Sequence, residues 1–563
     1  MFRLGENDGM EILTSAQMAV VDRDSGERGV PVRVLMENAG AAVARFCRDF
    51  YPGLDVVVLC GKGNNGGDGA VAARILAEVQ TPVRIVLLGS LAETRGDAAA
   101  ALAHAKNTQG LEFIEAKDET ALREALKDAG VILDAVVGTG FRPPLRGLAA
   151  SARDLIANTR IPVVAVDLPS GWDADSTNQT AADESGKAQA FRADAVVTFV
   201  APKMAHVFGH LTPGRTFGPV VVAPIGTPVE SLPAKTELCW TGRSKRITEQ
   251  RRDVNGNKGK FGHVLIVGGS LGKAGAPSMA SLAAMRAGAG LTTAAVPSSI
   301  LPTVAAVAPE LMCTPLSEGT GIRDQEPGLS VEQLEHDSLE KLLKGITVVG
   351  MGPGLGQEGT TPEFVRAFVE RVSLPMVLDA DALNALGGRA ELLKQATVRD
   401  ERGKRRTIVL TPHPGEMARL VGLSVKEVEA DRIGLARKFA TENGVTLVLK
   451  GWRTLVAHPE GRIAVNTTGN PAMAKGGSGD ILTGIVAAML AQYPERVAEA
   501  VEAAVFLHGL AADFATLEQD EHTLLATDTV NHLWRAFRAR VVDDDGFTWI
   551  AGLAARERSG MNA

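Results

Sequence analysis

Cysteine is scarce: Cys47, Cys60, Cys239 and Cys313 are the 4 in 563 residues, far apart and without a Cys-x-x-Cys pair. That argues against a disulfide framework or a thiolate zinc site and for a reducing compartment. Long basic runs are missing and the net charge is -7, which excludes nucleic acid as an expected partner. No apolar run is long enough to span a bilayer, so no membrane association is expected either. The first thirty residues carry Glu6, Asp8, Glu11, Asp22 and Asp24 and no apolar leader core. The expected address is therefore cytoplasmic. Repeats with periods of roughly 20–50 residues are also lacking.

What is present is the balance of a soluble globular protein, 45% hydrophobic and 22% charged. The chain is too long for one ordinary core, so two domains or more are expected. Short apolar runs at Val56–Cys60, Val83–Leu88, Val131–Asp134, Val163–Asp167, Ala195–Phe199 and Val220–Ala223 read as strands. Ala-rich helical stretches such as 70–79 lie between several of them. A second series follows at His263–Val267, Thr292–Val296, Thr347–Val349, Met376–Asp379, Thr407–Leu410 and Thr446–Leu449. Buried parallel strands alternating with helices predict an α/β protein of two domains, the first a Rossmann-like doubly wound sheet. The pattern places a first domain at 1–225, a linker at 226–250, a second domain at 251–540 and a loose polar tail at 541–563.

The stretch Asn470-Pro-Ala-Met-Ala-Lys-Gly-Gly-Ser-Gly-Asp-Ile-Leu-Thr-Gly484 organises the second half. Gly476, Gly477, Ser478 and Gly479 predict a loop of little bulk, followed by Asp480 and an apolar helix over 481–490. Converging backbone N–H groups and a helix N-terminus suit an anion such as a nucleotide phosphate. Asp480 at the rim is sited to take a proton from a hydroxyl attacking that phosphate. The alternative is a Gly-rich turn whose Asp only caps the helix.

In the first half, Gly61-Lys-Gly-Asn-Asn-Gly-Gly-Asp-Gly69 follows a strand and precedes a helix. It contains Gly-x-Gly-x-x-Gly, but the next strand ends in Leu87-Leu88-Gly89, with no acid to hold a ribose. An ordinary dehydrogenase is disfavoured; Asn64, Asn65 and Asp68 serve better as polar groups for a ligand or cation. Asp134, the loop Gly138-Thr-Gly-Phe-Arg-Pro-Pro144 and Asp167-Leu-Pro-Ser-Gly171 lie at three more strand ends, where such sheets bind ligands. Asn65, Asp134 and Ser170 together would suit a hard cation; alternatively Asp134 and Asp167 only cap helices. The second half carries its own strand-end loops: Gly268-Gly-Ser270, Gly350-Met-Gly-Pro-Gly-Leu-Gly356, Asp379-Ala-Asp-Ala-Leu-Asn384, Thr411-Pro-His-Pro-Gly-Glu416 and Lys450-Gly-Trp-Arg-Thr454. Prolines bracket His413, whereas His508 reads as a packing residue.

Gly-Asn-Asn-Gly-Gly-Asp-Gly, Gly-Thr-Gly and Val-Asp-Leu-Pro-Ser-Gly resemble the NAD(P)H-hydrate epimerase domain, over roughly residues 11–225. The resemblance implies that Asn64, Asn65, Gly66, Gly67 and Asp68, with Gly138, Thr139, Gly140, Phe141, Arg142, Pro143 and Pro144, hold the hydrated dinucleotide. It further implies that Asn65, Asp134 and Ser170 bind potassium and that Asp167 sits at the ring as acid/base, with Lys203 as a helper. The motifs of the second half are similar to ADP-dependent NAD(P)H-hydrate dehydratase, a ribokinase-like domain, over about 245–540. Here the resemblance implies Ala276, Gly354, His413 and Asp480 for the hydrated dinucleotide. For the adenine nucleotide it implies Lys450, Gly451, Trp452, Arg453, Thr454 and Gly479. The whole chain resembles the bifunctional NAD(P)H-hydrate repair enzymes of bacteria, which implies NADHX and NADPHX as substrates, ADP as co-substrate, magnesium for the dehydratase and assembly into a homo-oligomer. Two rival readings stand beside it: a ribokinase-type small-molecule kinase, and a first half that is only a nucleotide-binding module.

Overall fold

The computed structural model describes residues 10–183, 185–213, 218–319, 328–397 and 405–559. Its chain divides into two compact units, Met1–Thr236 with Val541–Ala563, and Glu237–Arg540. In the first unit, β1 (Val56–Cys60), β2 (Val83–Leu88), β3 (Leu111–Ala116), β4 (Val131–Ala135), β5 (Val163–Val166), β6 (Ala195–Phe199) and β7 (Val220–Ala223) lie in the order β7-β6-β5-β4-β1-β2-β3. All of these pairings are parallel. Val56–Cys60 is buried on both faces, which is why it reads as an unbroken apolar run and not as an alternation. Strand order reverses between β1 and β4, and a ligand crevice opens at such a switch point, outside the carboxyl ends of the strands.

Among the described residues, the second unit has ten strands: β8 (Leu238–Trp240), β9 (His263–Val267), β10 (Leu291–Pro297), β11 (Met312–Leu316), β12 (Val348–Met351), β13 (Met376–Leu378), β14 (Ile408–Leu410), β15 (Thr446–Leu449), β16 (Leu455–Ala457) and β17 (Ile463–Val465). Their order is β11-β10-β9-β12-β13-β14-β15-β16-β17-β8, antiparallel only at β15–β16 and β16–β17. The switch point here falls between β9 and β12. Among the described residues, no helix is long and apolar enough to cross a membrane.

Two expectations about the connecting stretches need correction. Residues 226–250 are not all linker: β8 pairs with β17, and a 3-10 helix follows over Thr241–Thr248. Trp240 is fully buried there and donates from Nε1 to Thr467 Oγ1 at 2.7 Å. Three apolar residues among Pro, Thr and Ser are too few to show a strand period. Nor is all of 541–563 a loose tail, because β18 (Thr548–Ala551) pairs antiparallel with β7 and closes that edge. Phe547, Trp549 and Ile550 are buried, and Trp549 Nε1 donates to Asp543 Oδ2 at 2.8 Å. Their apolar area drives this docking despite the polar composition around them.

Candidate active sites

Both glycine motifs turn out to be helix beginnings and not free loops. The helix Asn64–Glu78 starts inside the first motif, so Asn64 to Asp68 form its opening turns. A side chain at Gly66 would stand 2.0 Å from the Gly61 carbonyl oxygen; the absence of one lets the helix begin directly against the end of β1. The helix Ser478–Gln492 likewise takes in Gly479 and Asp480, behind Gly477 at φ 95°, a left-handed conformation that favours glycine.

In the first unit a cavity of about 1170 Å³ lies at the carboxyl ends of the strands. Asn64, Asn65, Asp68, Gly138, Thr139, Gly140, Phe141 and Asp167 line it, together with Asp22 and Lys203. Asp167 leaves β5 with φ 66°, a costly conformation for a non-glycine residue and one typical of functional sites. Its Oδ2 accepts from the amide and hydroxyl of Thr139 at 2.8 and 2.6 Å. Its Oδ1 accepts from Thr198 Oγ1 at 2.9 Å and Lys203 Nζ at 3.0 Å. Burial would raise this carboxyl, but the Lys203 ammonium and the two hydrogen bonds from Thr139 overcome it and hold Asp167 well below the usual carboxylate range. His206 donates from Nε2 to the Asp167 carbonyl at 2.7 Å and accepts the Lys203 amide on Nδ1 at 2.9 Å. Burial, and then Lys203, lower its pKa to about 4, so the ring is a neutral clamp.

Of the three residues expected to hold a cation, Asp134 and Ser170 are hydrogen-bonded to each other. Ser170 donates its hydroxyl to Asp134 Oδ1 at 2.6 Å and its amide to Oδ2 at 2.7 Å. Burial raises Asp134 to about 6 against these bonds, and no cationic side chain stands among the causes of its shift. Asn65 is buried with neither Oδ1 nor Nδ2 in a hydrogen bond. An all-oxygen set holding a buried acid and an unsatisfied amide oxygen fits a hard monovalent cation. Arg142 pairs with Asp173 and Asp175, each at 3.1 Å, and donates to the hydroxyl of Ser15, a residue of the cavity wall, at 2.8 Å.

In the second unit Asp379, at the end of β13, is the buried hub. Its Oδ1 accepts from Lys450 Nζ and its Oδ2 from Thr483 Oγ1, both at 2.9 Å. Thr483 lies one turn beyond Asp480, so this bond ties the start of the helix to the sheet edge. Lys450 also faces Glu416 Oε2 at 3.7 Å. Burial pulls its ammonium down, but Asp379 and Glu416 outweigh that and keep it charged. A Cβ on Gly479 would lie 3.3 Å from Lys450 Nζ, so Gly479, Lys450 and Asp379 share one corner. Burial, then the charge of Asp379, raise half-buried Asp480 to about 7, with Lys450 acting against them. His413 caps the helix Pro414–Val421, accepting the amides of Gly415 and Glu416 on Nδ1 at 3.0 and 3.3 Å. That leaves Nε2 to carry the proton of the neutral ring. Ala276 and Gly354 meet each other: a Cβ on Gly354 would stand 2.9 Å from the Ala276 Cβ. Arg453 lies over the Trp452 ring at 4.4 Å and donates to the Thr467 carbonyl at 2.6 Å.

Residues 264–535 match the family described as NAD(P)H-hydrate dehydratase, and residues 32–205 match the YjeF-related protein N-terminus. The bifunctional NAD(P)H-hydrate repair enzyme Nnr of Moorella thermoacetica is 37% identical over 536 residues, 93% of this chain and 96% of that protein. The chain belongs to the bifunctional NAD(P)H-hydrate repair enzyme family. Another member, from Pyrobaculum aerophilum, is 39% identical over 94% of this chain and 98% of its own length. The ADP/ATP-dependent NAD(P)H-hydrate dehydratase of Bacillus subtilis, co-crystallised with ATP and Mg2+, is 32% identical over 53% of this chain and 97% of its own, with a TM-score of 0.43.

Within the repair-enzyme sites, several residues went unassigned on sequence. Asp379 and Glu416 sit inside recognised strand-end motifs, and the rule that picked out Asp167 would also have found Asp379. Asp22, Thr198, His206 and Thr483 carry no local signal, because each acts on a residue distant in the chain or lies in an ordinary helical pattern.

Proposed function

We propose that this protein repairs hydrated nicotinamide coenzymes, epimerising the R and S forms of NADHX and NADPHX in the first unit and dehydrating the S form with ADP in the second. The observation that carries the reading is Asp480: a half-buried acid in the first turn of a glycine-led helix, held near neutral pH beside Lys450 and Asp379. A base poised there is matched to accepting a proton at physiological pH. Asp480 takes the proton of the 6-hydroxyl, whose oxygen attacks the terminal phosphorus of ADP, and AMP leaves. The ester at C6 then departs as phosphate with loss of a C5 proton, restoring the dihydronicotinamide. Backbone N–H groups of residues 476–479 and the helix N-terminus stabilise charge on the transferring phosphoryl group.

Ala276, Gly354 and His413 hold the hydrate, and Lys450, Gly451, Trp452, Arg453 and Thr454, with Gly479, hold ADP. Magnesium supplies charge balance on the phosphates when bound. Among the described residues no group of three or more His, Cys, Asp or Glu could hold a metal ion, which favours contact through nucleotide oxygens and water. In the epimerase, residues 64–68 and 138–144 grip the dinucleotide, Asp167 faces the ring, and Asn65, Asp134 and Ser170 hold potassium. A cytoplasmic address and homo-oligomeric assembly belong to the same proposal.

The test is to incubate mixed-epimer NADHX with the protein, ADP, magnesium and potassium while following reduced-nicotinamide absorbance. Full recovery is expected. Recovery of only the S fraction removes the epimerase, and a stable phosphorylated product in place of reduced coenzyme makes the second unit a kinase.

A further inference from the structure

The epimerase reading leaves one proton without a source. Inverting C6 through cleavage of its C–O bond requires protonation of the hydroxyl as that bond breaks. Asp167 has no hydrogen to give: its two oxygens already receive Thr198, Lys203 and both donors of Thr139. A carboxylate that accepts four hydrogen bonds, one of them from an ammonium, is an anion. Lys203 has none to spare either, since its three ammonium hydrogens go to Asp167 Oδ1, Thr198 Oγ1 and the Phe199 carbonyl at 3.0, 2.9 and 3.2 Å. His206 is neutral, with its Nε2 hydrogen engaged by the Asp167 carbonyl.

Of three further acids that line the same cavity, Glu93 is paired with Lys62; the other two are Asp22, on the helix Ser15–Glu27, and Asp68, on the helix Asn64–Glu78. No hydrogen bond figures among the influences on either carboxyl. Asn65, whose buried amide is also unpartnered, lines the cavity too. From this geometry we infer that Asp68, backed by Asp22, is the group that gives and takes back the proton during epimerisation; this rests on the epimerase reading above. The carboxyl proton of Asp68 passes to the C6 hydroxyl, the C6–O bond breaks and water leaves as the N1 lone pair forms an N1–C6 double bond. Water then adds to the opposite face of C6 and returns a proton to Asp68, so no proton is gained or lost. The Asp167 anion stabilises the passing positive charge on the ring.

Among the described residues, the titratable groups that face Asp68 are Asp167, Asp22, Lys203 and the buried thiol of Cys60 at the end of β1. Burial first, then the charges of Asp167 and Asp22, raise Asp68 well above the ordinary carboxyl range, with Lys203 acting against them. Burial also raises Asp22. Asp68 therefore keeps its proton at pH values where Asp167 has long lost its own, and such separated pairs mark acid and base partners.

The experiment uses the full chain, purified R-NADPH hydrate and chromatographic separation of the epimers, with the spontaneous rate subtracted. Asp68→Asn is expected to lower the epimerisation rate about a hundredfold and to abolish the alkaline limb of its pH profile, while Asp68→Glu recovers part of the rate. Asp22→Asn removes a neighbouring charge and should move that limb to lower pH without abolishing it. An Asp68→Asn protein that melts normally and keeps its rate and alkaline limb overturns the assignment, as does an Asp22→Asn limb that stays in place should Asp68→Asn fail to fold. Wild-type protein no faster than the spontaneous rate would instead sink the epimerase reading itself, a failure with a different signature.

Discussion

Replacing Asp480 with Asn should abolish dehydration and at the same time make the second unit more stable above neutral pH. The carboxyl is raised from 3.8 to about 7 by burial and by Asp379. Between those values the folded state holds a proton that the unfolded state has released. Stability therefore falls as pH rises through this window and stays reduced above it. A shift of about three pK units corresponds to about 4 kcal/mol at most. Solvent reaching this half-buried group brings the expected gain for Asp480→Asn nearer ~1–2 kcal/mol at pH 8, vanishing at pH 4. Urea unfolding of wild type and variant at both pH values measures it. Steady-state dehydration of S-NADHX should fall by about 10²–10⁴ for a lost general base, and the acid limb of the wild-type profile, centred near pH 7, should disappear. An Asn variant with a tenth or more of the activity, or with the same acid limb, refutes the role of Asp480. Equal stability of the two proteins at pH 8 refutes the electrostatic account of its environment.

Other outcomes follow from the same geometry. Lys203→Met strands the Asp167 anion and should cost the first unit about 3–5 kcal/mol, read as a lower unfolding midpoint with epimerase activity lost. Exchanging potassium for lithium should slow epimerisation and leave S-hydrate dehydration untouched; equal rates in both salts would remove the cation from Asn65, Asp134 and Ser170. Glu502→Gln should destabilise the second unit by about 3 kcal/mol, because buried Glu502 pairs with His458 at 2.9 Å and Arg462 at 3.0 Å and receives the Ser244 hydroxyl. The pH midpoint of dehydration should not move in that variant.

How far the sequence could be read depended on how locally each feature is encoded. Central parallel strands such as β1 and β9 bury both faces and stand out as apolar runs. At the sheet edge β3, Leu-Glu-Phe-Ile-Glu-Ala, is only partly buried and shows no such run. Strands of three residues, such as β16 and β17, fall below any detectable period. Glycine argues against helix, so the pattern starts these two helices a few residues late, at 70 and 481 against Asn64 and Ser478, whereas close packing against β1 requires glycine at Gly66. Asp480, Asp167 and Asp134 could be found because strand ends and glycine motifs mark them. The bonds that set their chemistry could not, since Lys203 to Asp167, Lys450 to Asp379 and Thr483 to Asp379 span 36, 71 and 104 residues.

The pairing of β18 with β7 means that the first sheet is interrupted in the chain by all of Glu237–Arg540. On the ribosome, then, the epimerase layer waits with a raw border until the dehydratase has been translated in full. A truncated gene ending at Thr236 would leave that border permanently bare, inviting intermolecular strand addition. Nature's two catalysts here cannot be parted by one cut.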